Sequence, residues 1–186
     1  MIWSILICTL ENRKKEFEFI YNKLLNQIKE NNLENEIEII YFKDNKENTV
    51  GFKRNFLLEK STSQYISFID DDDDISNNYI KLIYNTLLNN PDCVSLNGII
   101  TFNENNPRQF IHSIKYNKYF EENNIYYRPP NHLNPIKRDI AILFKFPEIN
   151  HGEDTDWAMQ ICNSNLLKTE IIIDECYYYY KYNSKK

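Results

Sequence analysis

Two groups of acidic residues could carry chemistry in this chain. Five consecutive aspartates, Asp70 to Asp74, directly follow the apolar stretch Tyr65 to Ile69. A second group, HGEDTDW, spans His151 to Trp157 and contains three more acids. Carboxylate oxygens are the ligands that hard divalent cations prefer, and a positioned carboxylate can accept a proton as a general base. The two groups therefore suggest a metal site and a proton acceptor.

The aspartate run has other interpretations. An EF-hand loop beginning at Asp70 would need glycine at its sixth position and glutamate at its twelfth, where this chain has Ile75 and Lys81. A run of like charges often lies in solvent. The acids could also stabilise the N-terminus of the helix predicted over Asn77 to Asn89, with Ser76 as its N-cap. Fewer than five acids would serve that purpose, so we predict metal binding.

The second acidic group precedes a predicted helix, Thr155 to Leu167. In a purely structural interpretation, Asp154 is the N-cap of this helix, and the acids of its first turn stabilise the helix dipole. In a catalytic interpretation, the same carboxylates act on a substrate. The residues alone leave both open. Gly152 is one of only three glycines in the chain, which suggests a special turn or a close backbone approach here.

Length and composition are typical of one globular domain. The 186 residues are 42% hydrophobic with a formal net charge of −5, so no basic surface for nucleic acid or anionic membrane is expected. The apolar run Ile2 to Cys8 is far too short to span a bilayer. No CxxC pair joins the cysteines, which are Cys8, Cys93, Cys162 and Cys176. Unpaired cysteines fit a reducing compartment, and we expect a soluble, cytoplasmic protein.

Strands and helices alternate in the first half of the sequence. The predicted elements are a strand Ile2–Cys8, a polar turn Thr9–Arg13, a helix over Phe17–Ile28, a strand Ile37–Phe42, a loop Lys43–Asn48, a helix Val50–Lys60, a strand Tyr65–Ile69 and the helix Asn77–Asn89. This alternation is typical of a parallel sheet covered by helices. The loops that follow the three strands should meet at one edge of the sheet, where ligands bind in open α/β folds.

The second half has a different pattern, with strands Val94–Phe102 and Phe110–Tyr116, a turn Asn103–Arg108 between them, a loop over 117–134, a helix Pro135–Phe144 capped by Asn134, the helix Thr155–Leu167, strands Ile171–Ile173 and Tyr177–Tyr180, and a frayed end Asn183–Lys186. The sequence contains neither the GxGxxG nor the GxxxxGK[ST] signature of nucleotide-binding loops. No linker divides the chain into two domains.

In chain order, the segments SILICTLENR, Asp44, GFKRN, FIDDDDD, NHLNPIKRDIA and HGEDTDW resemble the GT-A-fold nucleotide-sugar glycosyltransferases. The resemblance is strongest to the inverting enzymes of glycosyltransferase family 2 and covers Ile2 to Tyr180. It implies an α/β, Rossmann-like, mixed and mostly parallel sheet flanked by helices in a single compact domain. Residues 1–90 would be the nucleotide-binding half and residues 91–186 the acceptor and catalytic half.

The resemblance also implies a function. The enzyme would be a hexosyltransferase that moves a sugar, most simply from a UDP-sugar, to a hydroxyl of a glycan or protein acceptor with Mn²⁺ or Mg²⁺. It assigns nucleotide binding to Thr9, Glu11, Arg13, Asp44, Lys53, Arg54, Asp70 and Asp71, the DXD metal contacts to Asp70 and Asp72, and catalysis to Asp154 as base with Glu153 beside the acceptor. Within the nucleotide site, Asp44 would hydrogen-bond the base, and Lys53 and Arg54 would lie near the uridine and pyrophosphate.

Several assignments stay open. The extra aspartate leaves the register of the DXD acids uncertain by one, so Asp71 and Asp73 are further metal candidates. His132 could contact metal, pyrophosphate or donor sugar, and a loop-packing role is the alternative. His151 and Asp156 are possible site residues that could equally serve the start of the helix.

The chain departs from the family in being short, without C-terminal membrane helices or a large acceptor-binding extension. The acceptor, the donor sugar and the oligomeric state are therefore left open. Two other functions compete with glycosyl transfer. One is a non-catalytic nucleotide-sugar-binding module, and the other is a different metal-dependent enzyme of nucleotidyl or phosphoryl transfer.

Overall fold

The structure is a computed structural model that describes residues 1–103 and 105–182. One residue of the predicted turn over Asn103–Arg108 and the whole predicted frayed end, Asn183–Lys186, lie outside the described residues. The strands are β1 (Trp3–Leu10), β2 (Ile37–Asp44), β3 (Tyr65–Phe68), β4 (Asp74–Ile75), β5 (Cys93–Val94), β6 (Leu96–Phe102), β7 (Asn105–His112), β8 (Phe120–Glu122), β9 (Ile125–Arg128), β10 (Ile136–Lys137), β11 (Glu170–Ile171) and β12 (Tyr178–Tyr182). The helices are α1 (Lys14–Glu30), α2 (Val50–Lys60), α3 (Tyr79–Leu87), α4 (Arg138–Ala141) and α5 (Glu153–Ser164), with a short 3₁₀ turn at Glu11–Arg13.

The first sheet has the strand order β11-β5-β10-β3-β1-β2. β1 lies in its interior and pairs in parallel with both β2 and β3, so that Ile5 faces Ile39 on one side and Ser67 on the other. The parallel sheet predicted for the first half is therefore confirmed. Parallel strands covered by helices on both faces are apolar throughout, which is why Ile5, Leu6 and Ile7 are all fully buried.

The remaining strands form a second sheet, in the order β4-β12-β6-β7-β9-β8. The mixed α/β class with flanking helices is confirmed, but the strands are divided between two sheets. The segment 117–134, predicted as a loop, contains the strands β8 and β9. The rings of Phe120 and Tyr127 stack across this pair with centroids 4.9 Å apart. Cross-strand aromatic contacts stabilise such a short pairing.

The aspartate run does not lead straight into a helix, as the sequence pattern had suggested. β4 intervenes and pairs with β12, with Ile75 opposite Tyr178. Helix α3 then begins at Tyr79 with Asn78 at its N-cap position, and Ser76 instead donates a hydrogen bond to the side chain of Asn78 at 2.7 Å. The prediction of Ser76 as N-cap is therefore wrong. Pairing with β12 holds Asp74 and Ile75 extended, and the helix begins two residues later than predicted.

The predicted helix Pro135–Phe144 is largely wrong for a similar reason. Its first residues form β10, where Ile136 pairs with Ile66 and Cys93 between two strands of the first sheet. Only the short helix α4 follows. Asn134 does not cap a helix, because its amide group donates to the carbonyl of Val94 at 2.9 Å. Ile136, a buried β-branched residue, therefore joins two strands of the sheet although the local sequence pattern favoured a helix.

Two hydrophobic clusters hold the site in place. In the first, Trp3 and Tyr177 both pack on Tyr79, with ring centroids 5.7 Å from it in each case, which joins the two halves of the chain. In the second, Phe146 stacks on Trp157 at 4.6 Å and fixes helix α5 against the first sheet. Among the described residues, no helix has the length and apolar character needed to cross a membrane.

Candidate active site

The two acidic groups meet in one cleft of about 690 Å³ at the carboxyl ends of β1 and β3. Eleven of the predicted site residues line it, namely Thr9, Arg13, Lys53, Arg54, Asp70, Asp71, Asp72, His132, His151, Glu153 and Asp154. The second sheet supplies the facing wall through residues that include Ile100, Phe110, His112, Arg128 and Tyr180. The strand ends of the parallel sheet and the start of α5 thus bring distant parts of the sequence together.

A chain of ionisable side chains connects the two acidic groups across the cleft. Arg54 lies between Asp70, at 3.1 Å, and Glu153, at 3.5 Å. On the other side, Nε2 of His132 lies 3.5 Å from Asp70 and Nδ1 lies 3.7 Å from Asp154. Because Glu153 and Asp154 are neighbours on α5, these five side chains form a closed ring. We name Arg54, Asp70, His132, Glu153 and Asp154 the charge ring.

Arg54 is the buried cation of the charge ring. Its guanidinium lies 5.6 Å from the ring centroids of both Phe68 and Phe146, a distance at which cation–π attraction operates. Burial alone would raise the pKa of Asp70, but the charges of Arg54, His132 and Arg13 outweigh it and hold that pKa well below its usual range. Asp70 is therefore an ionised carboxylate at neutral pH.

The next two aspartates share one arginine. Arg13, in the turn after β1, reaches Asp71 at 2.9 Å and Asp72 at 2.5 Å. The hydroxyl of Thr9 donates to Asp71 at 2.7 Å. The TLENR turn therefore supplies both a cation and a donor to the aspartate run, which explains how these carboxylates lie close together in spite of their mutual repulsion.

Asp73 turns away from the cleft. The hydroxyl of Tyr178 donates to it at 2.8 Å and the backbone N–H of Lys181 at 2.9 Å. Burial and the negative charge of Asp70 raise its pKa well above the ordinary value. Asp73 thus joins the aspartate run to β12, and among the metal candidates it is the one directed into the protein.

Asp44, which was predicted to hydrogen-bond the base of the nucleotide, already has hydrogen-bond partners within the protein. Asp44 accepts a hydrogen bond from Lys53 at 2.9 Å and from the backbone N–H of Asn48 at 2.9 Å. Burial acts to raise the pKa of Asp44, but these bonds outweigh it and lower that pKa. Lys53 and Asn48 line the cleft, and Asp44 lies behind them. Glu11 is exposed and pairs with Lys43 at 3.3 Å outside the cleft.

Helix α5 begins at Glu153, two residues before the predicted start at Thr155. Gly152, at φ = 87°, occupies the N-cap position, which a residue with a side chain would adopt only with strain. Asp154 lies in the first turn, so the interpretation of Asp154 as N-cap is wrong. Burial raises the pKa of Glu153 in spite of Arg54 beside it. Asp156 is exposed outside the cleft, where it accepts a hydrogen bond from Gln160, whereas His151 lies exposed at the cleft wall.

The facing wall of the cleft contains none of the residues that the sequence analysis assigned to the nucleotide, metal or catalytic roles. His112 is buried, and its Nδ1 lies 3.1 Å from the side-chain oxygen of Asn134. Burial and the charge of Arg128 lower the pKa of His112 to about 3, so its ring is neutral. The register that places His112 beside Arg128 on neighbouring strands brings both to the cleft. Because residues 117–134 were predicted to form a loop, this strand pairing was not expected.

The aspartates at the cleft suit a divalent cation that also binds a substrate phosphate. No group of three His, Cys, Asp or Glu side chains in the described part of the chain is arranged to hold a metal by itself. Mg²⁺ is commonly bound by one or two carboxylates together with phosphate oxygens and water. Asp70 and Asp72 line the cleft as partly exposed carboxylates, and their oxygen donors match that chemistry.

Comparison with known proteins identifies relatives of the sequence and of the fold. The sequence model described as "Glycosyl transferase family 2" matches residues 23–149. The S. aureus TarS 1–349 structure in complex with UDP matches with a TM-score of 0.66 and 16% identity, over 97% of this chain and 60% of that one. The complex of the same protein with UDP-GlcNAc matches with a TM-score of 0.65 and 16% identity, over 97% and 58%. A197 from STIV matches with a TM-score of 0.50 and 13% identity, over 93% and 82%.

These likenesses agree on the fold. The chain spans about 60% of the length of the TarS 1–349 structure. No curated protein matches the sequence at a significant level. At these identities the structural matches concern the arrangement of strands and helices, and they confirm the mixed α/β fold.

Proposed function

Because the chain belongs to glycosyl transferase family 2, we propose that it transfers a sugar from a nucleotide-sugar donor to an acceptor hydroxyl, with inversion at the anomeric carbon. The observation that carries the proposal is the charge ring. It places a carboxylate that follows β3 and a carboxylate on α5 in the same cleft, with His132 between them. A displacement reaction needs one site for the leaving group and a separate base on the opposite side of the reacting carbon.

The donor would occupy the side of the cleft formed by the first sheet. Thr9, Arg13 and Lys53 line that side, and their hydroxyl and cationic groups suit the ribose and diphosphate of a nucleotide. We propose a UDP-sugar as the donor, supported by the structures of similar fold that contain UDP and UDP-GlcNAc. Asp44 would then accept a hydrogen bond from N3–H of uracil, after Lys53 and Asn48 shift to admit the base.

Asp70 and Asp72 would hold a Mn²⁺ or Mg²⁺ ion together with the diphosphate of the donor. Such an ion would supply Lewis-acid neutralisation of the leaving group. Arg13 now pairs with Asp72 and with Asp71. We therefore expect donor binding to move Arg13 from these carboxylates towards the phosphates, which a guanidinium can also bind with two parallel hydrogen bonds.

Asp154 would act as the base. It takes the proton from the acceptor hydroxyl while the oxygen bonds to the anomeric carbon and the bond to the diphosphate breaks. His132 is buried, and neither of its ring nitrogens has a hydrogen-bond partner among the described residues. It lies between the carboxylates of Asp70 and Asp154, so we assign it the role of fixing the distance between the donor side and the base.

The experiment compares Asp154→Asn with Asp156→Asn. Both residues lie in the first turn of α5, and the substitution is the same. Only Asp154 lines the cleft. We expect transfer, or hydrolysis of the UDP-sugar when no acceptor is known, to fall by roughly two to four orders of magnitude in Asp154→Asn. UDP affinity should stay near that of the wild type, since the donor is bound by the opposite side of the cleft. Asp156→Asn should retain full turnover.

Other outcomes would overturn parts of the proposal. Near-normal turnover of Asp154→Asn would exclude it as the base. A wild-type protein that binds UDP, measured as a rise in melting temperature with and without Mn²⁺, but never cleaves a UDP-sugar would be a binding module. Stabilisation by GDP or ADP rather than UDP would change the nucleotide assignment.

A further inference from the structure

The wall of the cleft that faces the proposed donor side is built by the second sheet. Phe110 and His112 on β7, Arg128 on β9 and Tyr180 on β12 all line the cleft. An acceptor must reach Asp154 from a direction that the donor does not occupy. The face of the second sheet is the remaining approach, so its side chains are the ones that would select the acceptor.

Arg128 differs from the arginines on the donor side. Arg13 and Arg54 both form ion pairs with carboxylates of the cleft. No carboxylate of residues 1–103 and 105–182 lies within ion-pair distance of Arg128. Its guanidinium instead lies over the rings of Tyr119, at 5.4 Å, and Tyr126, at 5.9 Å. Stacking on aromatic faces orients a guanidinium and leaves the N–H donors in its plane available for an oxyanion.

The proposed base and this arginine line the same cleft. The charges of both Asp154 and Arg128 act on the phenol groups of Tyr119 and Tyr180. Arg128 and Asp154 therefore border one cleft and act on the same two phenol groups.

We propose that Arg128 and the face of the second sheet form an acceptor subsite for a molecule that bears a phosphate or carboxylate group near the hydroxyl to be glycosylated. This assignment rests on the proposed function, because it takes Asp154 as the base that receives the acceptor proton. The oxyanion binds the in-plane donors of Arg128, and the ring of Tyr180 packs against the apolar face of the acceptor. A neutral sugar would leave the guanidinium without a counter-charge.

The test is a calorimetric titration of the UDP-saturated protein with matched probes. Glycerol 3-phosphate is compared with glycerol, and glucuronate with glucose, so that each pair differs mainly in its charged group. We expect the wild type to bind at least one charged member and to bind it more tightly than its neutral counterpart. Whichever anion binds identifies phosphate or carboxylate as the preferred group.

The variants are Arg128→Gln and Arg108→Gln. Arg108 lies on the same sheet and over the same Tyr126 ring, at 5.5 Å, but pairs with Glu121 and does not line the cleft. Arg128→Gln should weaken anion binding by roughly ten- to a hundredfold, the effect of losing hydrogen bonds to a charged group. Arg108→Gln should leave it unchanged. Arg128→Lys, which keeps the charge but not the two-pronged geometry, should fall between them.

Three results would overturn the inference. The first is equal affinity of the wild type for charged and neutral probes, including no binding of either. The second is equal anion affinity in the wild type and in Arg128→Gln. The third is a loss of UDP affinity in Arg128→Gln as large as its loss of anion affinity. The last would place Arg128 in the donor site. Failure of the proposed function has a different signature, namely no UDP binding and no hydrolysis of a UDP-sugar by the wild type. In that case the anion titration of the UDP-free protein still decides whether Arg128 forms an anion site.

Discussion

Replacing Arg54 by methionine would test whether the charge ring stabilises the fold as well as the site. Methionine fills much of the space between Phe68 and Phe146 but carries no charge. Two carboxylates would lose their cation. The side chain of Glu153 is only 5% exposed and cannot regain water, whereas that of Asp70 is 30% exposed and can do so in part.

Removal of one partner from a buried ion pair typically costs about 3–5 kcal/mol. Because Asp70 can be partly rehydrated, we expect the lower end, about 3 kcal/mol of unfolding free energy at pH 7. With a urea slope of about 2–3 kcal/mol per molar, the unfolding midpoint should fall by about 1–1.5 M. The assay is equilibrium urea unfolding followed by circular dichroism and tryptophan fluorescence.

The loss of stability should depend on pH. The pKa of Asp70 in the folded wild type lies below its unfolded value. Its contribution to stability is therefore present above the unfolded pKa and lost as pH falls through the folded one. Without Arg54, this contribution of Asp70 is smaller, because only His132 and Arg13 still lower its pKa, and the raised pKa of Glu153 rises further. The difference between variant and wild type should therefore shrink as the pH is lowered from 7 towards 4.

Two comparisons make the result decisive. Arg108→Met removes an arginine from a pair whose side chains are 33% and 46% exposed, and such a surface pair should contribute at most about 1 kcal/mol. Adding Asp70→Asn and Glu153→Gln to Arg54→Met removes the uncompensated charges and should restore more than half of the loss. A change within about 1 kcal/mol for Arg54→Met, or no recovery in the triple variant, would refute the argument that buried charge is the cause.

Two further predictions concern the donor. The double variant Asp70→Ala/Asp72→Ala should keep its fold but lose Mn²⁺-dependent UDP binding, because it lacks both proposed metal carboxylates. Isothermal titration with UDP, with and without Mn²⁺, measures this binding. An unchanged metal dependence would contradict the proposed metal site. Asp44→Ala should weaken UDP more than pyrophosphate, since only UDP carries the base that Asp44 would bind, and competitive titration of both ligands would show an equal loss if Asp44 acts solely through Lys53.

The sequence predicted the first half of the fold well because its elements carry their own signals. β1 and β3 are mostly apolar runs, and α2 begins and ends where predicted, at Val50 and Lys60. Thr49 caps α2 by accepting a hydrogen bond from the backbone N–H of Phe52 at 3.2 Å. Long elements with a clear period and a suitable cap are specified locally.

The second half was predicted less well because many of its strands are too short to show a period. β5, β10 and β11 contain two residues each. Their conformation is set by the strands that they pair with. Ile136, for example, lies between Ile66 and Cys93, neither of which is near it in the sequence. Propensity is a weak guide where tertiary pairing decides.

The inward direction of Arg54 follows from its spacing along helix α2. The sequence marks this helix by Phe52 and Phe56, yet both are exposed. Residues four apart share a face of a helix, so Lys53 lies above Leu57 and Arg54 above Leu58. Both leucines are buried, and the two cations are therefore directed inwards with them. Buried cations need carboxylate partners, so a helix that directs cations inwards and aromatic rings outwards must face an acidic site. The four-residue spacing within α2 thus accounts for the position of Arg54 between the two acidic groups.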